Sequence, residues 1–328
     1  MTDATLDVVG IGNAIIDLLA HADDSFLTEQ NLIKGAMTLV DEETAERLYA
    51  AMGPVTRASG GSAGNTIAGL GSLGAKCGYI GKLKQDELGA AYRHDLLAAG
   101  VRFTTPMAND GPSTARCMIF VTSDAERTMN TYLGACVNLK AEDIDAEMVA
   151  AAKITYLEGY LYDEPHAKEA FHRASDIAHG AGRKVALSLS DAFCVERHRA
   201  DFLDLIANRI DILFANESEL LALFQTEDFD AAVERLKPMV EIAAITRSAQ
   251  GSVAIRGDER VASPAAHVER VVDTTGAGDL YAAGFLYGLT QELPLAECGR
   301  IAGLAAAEVI SHFGARPETP LREYAGLD

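Results

Sequence analysis

From Met148 onward the apolar and polar positions follow two rhythms in turn. The runs KITYLEGYL, RKVALSLS and RIDILFAN are short, apolar and rich in β-branched residues, and read as strands. Between them, EPHAKEAFHRASDIAHG and ERHRADFLDLIAN carry apolar residues at the spacing of amphipathic helices. The same alternation runs through ESELLALF, EIAAITRS and GSVAIRGD, and closes with helices after Gly278 and after Leu293. Strands alternating with helices predict crossover connections and a mostly parallel central sheet flanked by helices.

The first third breaks this rhythm. ARCMIFVTSDAERTMNTYL alternates residue by residue around SDAE, which predicts a hairpin with one wet face. Together with AIIDLLAHA and GAMTLV it predicts a small sheet standing off the main one. No internal repeat, low-complexity tract or Pro-rich linker divides the chain. The expected organisation is one α/β domain over residues 1–328, with a small β-sheet lid built from discontinuous segments, about 14–40 and 102–135.

Composition narrows the partners. The 328 residues, 48% of them hydrophobic, suffice for a large core. The start MTDATLDVVG has no basic region before an apolar one, and no apolar stretch approaches the ~18 residues of a membrane helix, so a cytoplasmic protein without a membrane partner is expected. A formal charge of −20 without a Lys/Arg-rich run argues against nucleic acid. The five cysteines are far apart and the eight histidines form no paired metal spacing, so buried thiols in a reducing compartment are expected. The pattern Gly-x-x-x-x-Gly-Lys-Ser/Thr does not occur.

Five stretches carry candidate chemistry. DTTGAGD, Asp273 to Asp279, sets Gly276, Ala277 and Gly278 before a helix-compatible run, so backbone N–H groups can converge on an anion. Asp279 beside such an anion makes sense as the acceptor of a proton from an attacking hydroxyl; its ordinary role would be an N-cap, and that of Asp273 a turn. ASGGSAGNT brings Gly60 and Gly61, against which a ligand could lie, and Asn65, whose amide can donate to and accept from sugar hydroxyls. The alternative there is close packing of a Gly/Ala-rich helix. In NESE, Asn216 and Glu219 form either a capping box or a holder for hydrated magnesium. Arg127, in the hairpin turn, is a solvated residue or a guanidinium swung onto phosphate. Near the amino terminus, VVGIGNAIID places Asn13 and Asp17 in an apolar run.

In this order the four motifs Gly-x-Asn-x-x-x-Asp, Gly-Gly-x-x-x-Asn, Asn-x-x-Glu and Asp-Thr-x-Gly-Ala-Gly-Asp resemble the ribokinase-like (PfkB-type) carbohydrate kinase family, from about Val8 to Gly314. Within it, GNAIIDL and GGSAGNT are similar to the ribose-binding turns of the adenosine kinase subgroup. The resemblance implies ATP- and Mg²⁺-dependent phosphorylation of the primary hydroxyl of a ribonucleoside, adenosine to AMP, with a monovalent cation such as K⁺ as a further ligand and a monomer or homodimer as the assembly. It implies Asp279 as the base, Gly276, Ala277 and Gly278 as the anion hole, and Arg127 as the lid arginine. Asp17, Asn13, Gly60, Gly61 and Asn65 would hold the ribose, and Asn216 and Glu219 the magnesium and phosphates. ATP would lie along Thr246, Ser248 and Gly251, with Ser248 where the family often has glycine. The residue stacking on the base falls at Tyr160, Leu161 or Tyr162.

Three other readings stand beside this one. The first is a sugar kinase on the same fold, acting on ribose or fructose. A Rossmann oxidoreductase would use Gly10, Gly12 and Asp41, but has Ile15 where its third glycine belongs. A catalytically silent nucleoside-binding regulator would be marked by loss of the base or of the anion-hole glycines, and this chain keeps both.

Overall fold

The computed structural model describes residues 4–124 and 126–327; the extreme termini, and Ala125 at the tip of the expected hairpin, lie outside the described residues. Fourteen strands follow in chain order: β1 Leu6–Ile11, β2 Ile15–His21, β3 Met37–Leu39, β4 Thr56–Ser59, β5 Cys77–Ile80, β6 Arg102–Phe103 and β7 Ala115–Val121 make up the first half. They continue with β8 Arg127–Tyr132, β9 Ala152–Glu158, β10 Lys184–Ser188, β11 Ile212–Asn216, β12 Ile242–Thr246, β13 Ser252–Arg256 and β14 Glu259–Ser263.

Nine of them form one sheet in the order β14-β13-β12-β11-β10-β9-β1-β5-β6, parallel from β12 to β6, with β13 and β14 added antiparallel. This is the α/β class that the two rhythms predict. Alternate residues of each strand serve opposite layers: Ile212 and Phe214 belong to one apolar cluster, Leu213 and Ala215 to the other. The first cluster includes Ile67, Leu280 and Ile301, from the helices Ser62–Ser72, Ala277–Thr290 and Leu295–Val309. The second includes Phe171, Phe202, Leu220 and Val233, from Pro165–Gly180, Ala192–Arg209, Glu217–Phe224 and Phe229–Leu236. A strand buried on both faces needs an unbroken apolar run, which is why ILFAN and IAAIT read so clearly.

The other five strands form a small sheet in the order β3-β8-β7-β2-β4. The hairpin β7–β8 pairs Arg116 with Tyr132 through Val121 with Arg127. Its expected wet face is absent, because β7 lies at the centre of the sheet and is buried along its whole length. On one side Met118 and Phe120 pack with Leu18, Leu27 and Leu48; on the other Cys117, Ile119 and Val121 cluster with Ile15, Leu19 and Met129. The strand β4 lies outside the segments 14–40 and 102–135, whereas β6, inside the second, joins the large sheet. All five cysteines are buried thiols, and among the described residues no helix is long and apolar enough to cross a membrane.

Candidate active site

At the carboxyl edge of the large sheet, β1 delivers Gly12 and Asn13 and the chain passes into β2 of the small sheet. Asn13 is buried; its backbone N–H and Nδ2 donate to Oε1 of Glu158 at 3.3 and 2.8 Å. Oε2 of Glu158 accepts from the N–H of Ala63 at 2.8 Å, so one carboxylate joins β1, β9 and the start of the Ser62 helix. Burial pushes Glu158 up to about 7 against these three donors. Glu158 escaped the sequence reading; its signal was a carboxylate closing an apolar strand at the edge where open α/β sheets bind ligands.

Asp17 stands in β2 between Ala58 of β4 and Cys117 of β7, half-buried. Burial pushes it up to about 7, Arg316 and Arg127 pull it down, and Asp279 pushes it up again. A Cβ on Gly60 would collide with this carboxylate, so the small residue serves the approach of Asp17 rather than of a ligand. Gly61 has φ +81° at the N-cap of the Ser62 helix, and a Cβ there would meet the Asn13 carbonyl.

Across the cleft Gly276, at φ +80°, is the N-cap of the Ala277 helix, with Ala315 packed 2.8 Å from where its Cβ would be. Asp279, the third helical residue, does not cap its own helix. Its Oδ1 accepts from Ser62 Oγ at 2.6 Å and its Oδ2 from Asn65 Nδ2 at 3.0 Å. Burial raises its pKa and these two donors lower it. Asn65 Oδ1 is buried without a donor. A Cβ on Gly278 would meet nothing within 4 Å, so that face of the turn is open, while the N–H of Ala277 is taken by the Thr274 carbonyl at 3.2 Å.

Asp273 is far more than a turn residue. It accepts from Thr275 N–H and Oγ1 at 3.0 and 2.8 Å and from Gly314 N–H at 3.0 Å. Arg127 Nη2 pairs with it at 2.5 Å, and Arg127 Nη1 donates to Thr275 Oγ1 at 3.2 Å. Arg127 therefore spans from the small sheet to this turn, its side chain only 9% exposed rather than solvated.

Asn216 and Glu219 form the capping box: Asn216 Oδ1 accepts from Glu219 N–H at 2.8 Å, and the Glu219 carboxylate accepts from Asn216 N–H and Nδ2 at 2.9 and 2.6 Å. Burial pushes Glu219 up to about 7. Thr246 ends β12, and the following turn needs positive φ twice, at Ser248 (+49°) and at Gly251 (+84°). Position 248 is thus one where glycine would sit without strain, and serine is held there by the turn.

Of the three candidates for base stacking, two are corrected. Leu161 and Tyr162 lie in the apolar layer, Tyr162 stacked on Phe202 at 4.8 Å between ring centroids and 5.8 Å from Phe171. Tyr160 alone is half-exposed; its hydroxyl donates to the Ser190 carbonyl at 3.3 Å. Asp191, Asp279, Glu219 and Glu158 all act electrostatically on that phenol, so the cleft edge is acidic. This oxygen-rich donor set suits a hard cation such as Mg²⁺. Among the described residues no three His, Cys, Asp or Glu side chains converge as direct metal ligands.

Residues 33–322 match the model of the pfkB family carbohydrate kinases. The structure is similar to that of adenosine kinase from Sinorhizobium meliloti, at 54% identity and a TM-score of 0.92 over 98% of this chain and 99% of that one. It is equally similar to a probable sugar kinase protein from Rhizobium etli, at 51% identity and a TM-score of 0.92 over 98% of each chain. An uncharacterized sugar kinase of Archaeoglobus fulgidus is 30% identical over 77% of this chain and 98% of its own length. The chain belongs to the pfkB family of carbohydrate kinases, phosphotransferases that act on a hydroxyl group.

Proposed function

We propose that the chain transfers the terminal phosphoryl group of ATP to the primary hydroxyl of a ribonucleoside, with adenosine as the substrate. The observation that carries this reading is the Asp279 carboxylate, buried at a helix start, tied by Ser62 and Asn65 and adjoining the open face of Gly278. Asp279 takes the hydroxyl proton as the new O–P bond forms and the bond from the terminal phosphorus to the bridging oxygen breaks, releasing ADP. The helix start and Arg127 offset the charge on the transferring group, and Gly276 and Gly278 leave it room. Asp17 accepts from the ribose hydroxyls, with Asn13, Gly61 and Asn65 around the same sugar.

Thr246, Ser248 and Gly251 border the nucleotide, and Asn216 and Glu219 would hold hydrated Mg²⁺, whose chemistry is to neutralise the phosphate oxygens. Glu219 accepts two hydrogen bonds within its capping box, which leaves lone pairs for that water shell. The small sheet acts as a lid that excludes water.

Support for a nucleoside over a free sugar comes from the sheet face that carries Asp17. Its neighbours there, Ile15, Leu19, Cys117, Ile119 and Met129, are apolar, and suit a flat base beside the ribose. The likeness to sugar kinases favours the second reading, a kinase for ribose or fructose. ADP release across adenosine, guanosine, inosine, ribose and fructose decides between them. Turnover of adenosine is expected; turnover of free sugars alone moves the assignment to sugar kinase. In Asp279→Asn, turnover should fall by about 10²–10⁴ while substrate still binds, and full activity there would remove the base role.

A further inference from the structure

Arg316 follows the helix Leu295–Val309 in a loop clasped to the phosphate turn: Gly314 N–H bonds Asp273, and Ala315 packs on Gly276. The backbone before Arg316 is therefore held firmly. Its Nε and Nη2 are buried and have no acceptor. Nη2 lies beside Gly64, where a Cβ would be in ordinary contact with it at 3.7 Å but would collide with the Tyr92 hydroxyl. Arg316 is also the cation acting most strongly on Asp17, ahead of Arg127, which pairs with Asp273 and Thr275.

Two acceptors lie in the same neighbourhood. No hydrogen-bond donor among the described residues bears on the Asp17 carboxylate. On the same helix as Gly64, Asn65 spends its Nδ2 on Asp279, which leaves Oδ1 buried without a donor. Two guanidinium nitrogens buried without acceptors are costly, as is an orphaned amide oxygen, so what enters this cleft must both accept and donate. Hydroxyl groups do both. A carboxylate would satisfy Arg316 alone while facing Asp17, Asp279 and Glu158.

We propose that Arg316 is a specificity residue for the acceptor substrate: it donates to an oxygen of a vicinal diol whose protons go to Asp17 and Asn65. The site then takes a neutral polyhydroxylated acceptor and disfavours a sugar acid. This rests on the reading of Asp17 and Asn65 as the acceptor side of the cleft.

The test compares the full-length wild type with Arg316→Met and Arg316→Lys. Steady-state constants, and dissociation constants by calorimetry, are measured for adenosine, 2′-deoxyadenosine and 3′-deoxyadenosine. In Arg316→Met the KM and Kd for adenosine should rise about 10- to 100-fold with kcat changed much less. The wild-type preference for adenosine over at least one deoxynucleoside should collapse towards unity, and lysine should restore part of it. Equal weakening of all three ligands, or none, overturns the proposal. Melting curves verify folding, and the lysine variant carries the comparison if the methionine one does not fold. If the wild type phosphorylates ribose and no nucleoside, the nucleoside reading fails by itself, and ribose against 2-deoxyribose then decides the role of Arg316.

Discussion

At the scale of single residues, the fate of Asp279 depends on what touches it. A carboxylate buried at that depth favours protonation, which would disable it as a base. Ser62 and Asn65 oppose this by donating to its two oxygens. Asp17, Glu158, Tyr156 and Tyr160, all acidic, also interact with Asp279. A hydrogen bond to a charged group contributes about 1.5–3 kcal/mol, or about one to two pH units. Ser62→Ala should therefore move the acid limb of the kcat profile to higher pH by about that amount, with KM little changed. An unmoved limb would show that Ser62 only packs. Nothing in GGSAGNT marked Ser62, because its partner is 217 positions away.

Among elements, two glycines of one helix do opposite work. Gly284 lies where the Ala277 and Leu295 helices cross, with Ala302 Cα 2.6 Å from its would-be Cβ. Gly278, six residues earlier, faces open space. Gly284→Val should cost about 1–3 kcal/mol of stability in urea unfolding, through overpacking. Gly278→Ala should leave stability within about 0.5 kcal/mol yet lower kcat about tenfold or more, because its methyl group enters the space proposed for the transferring phosphoryl. Equal effects of the two on folding would contradict this division. The motif GAGDLYAAG displays both glycines, but only the helix crossing tells them apart.

Over the whole molecule, the carboxylates of the cleft couple folding to pH. Asp17, Glu158 and Glu219, each pushed up to about 7, bind protons more tightly folded than unfolded. Their contribution to stability is complete below the unfolded carboxylate range and is lost as pH rises through about 7. The net charge of −20 acts in the same direction. The urea midpoint is expected to fall between pH 5 and pH 8, and a midpoint that climbs over this interval would refute the coupling.

The large sheet was legible along the chain because burial on both faces demands unbroken apolar strands, and covering helices demand a stripe: Glu217–Phe224 coincides with the run ESELLALF. The glycine turn before the Ala277 helix, proposed to hold the transferring phosphoryl, was legible because converging N–H groups need small residues in sequence. What stayed hidden depends on contacts between distant positions. The wet face expected for β7 vanished because Cys117, Ile119 and Val121 are buried in a cluster with Ile15, Leu19 and Met129 of the flanking strands β2 and β8. Local pattern makes Leu161 and Tyr162 as eligible as Tyr160, and only the packing of Phe171 and Phe202 withdraws Tyr162 from the cleft. Glu158 and Arg316, 158 positions apart, carry no motif at all. Periodicity records which way a side chain faces within its own element; which groups are brought together, and which are left without partners, is settled when those elements pack.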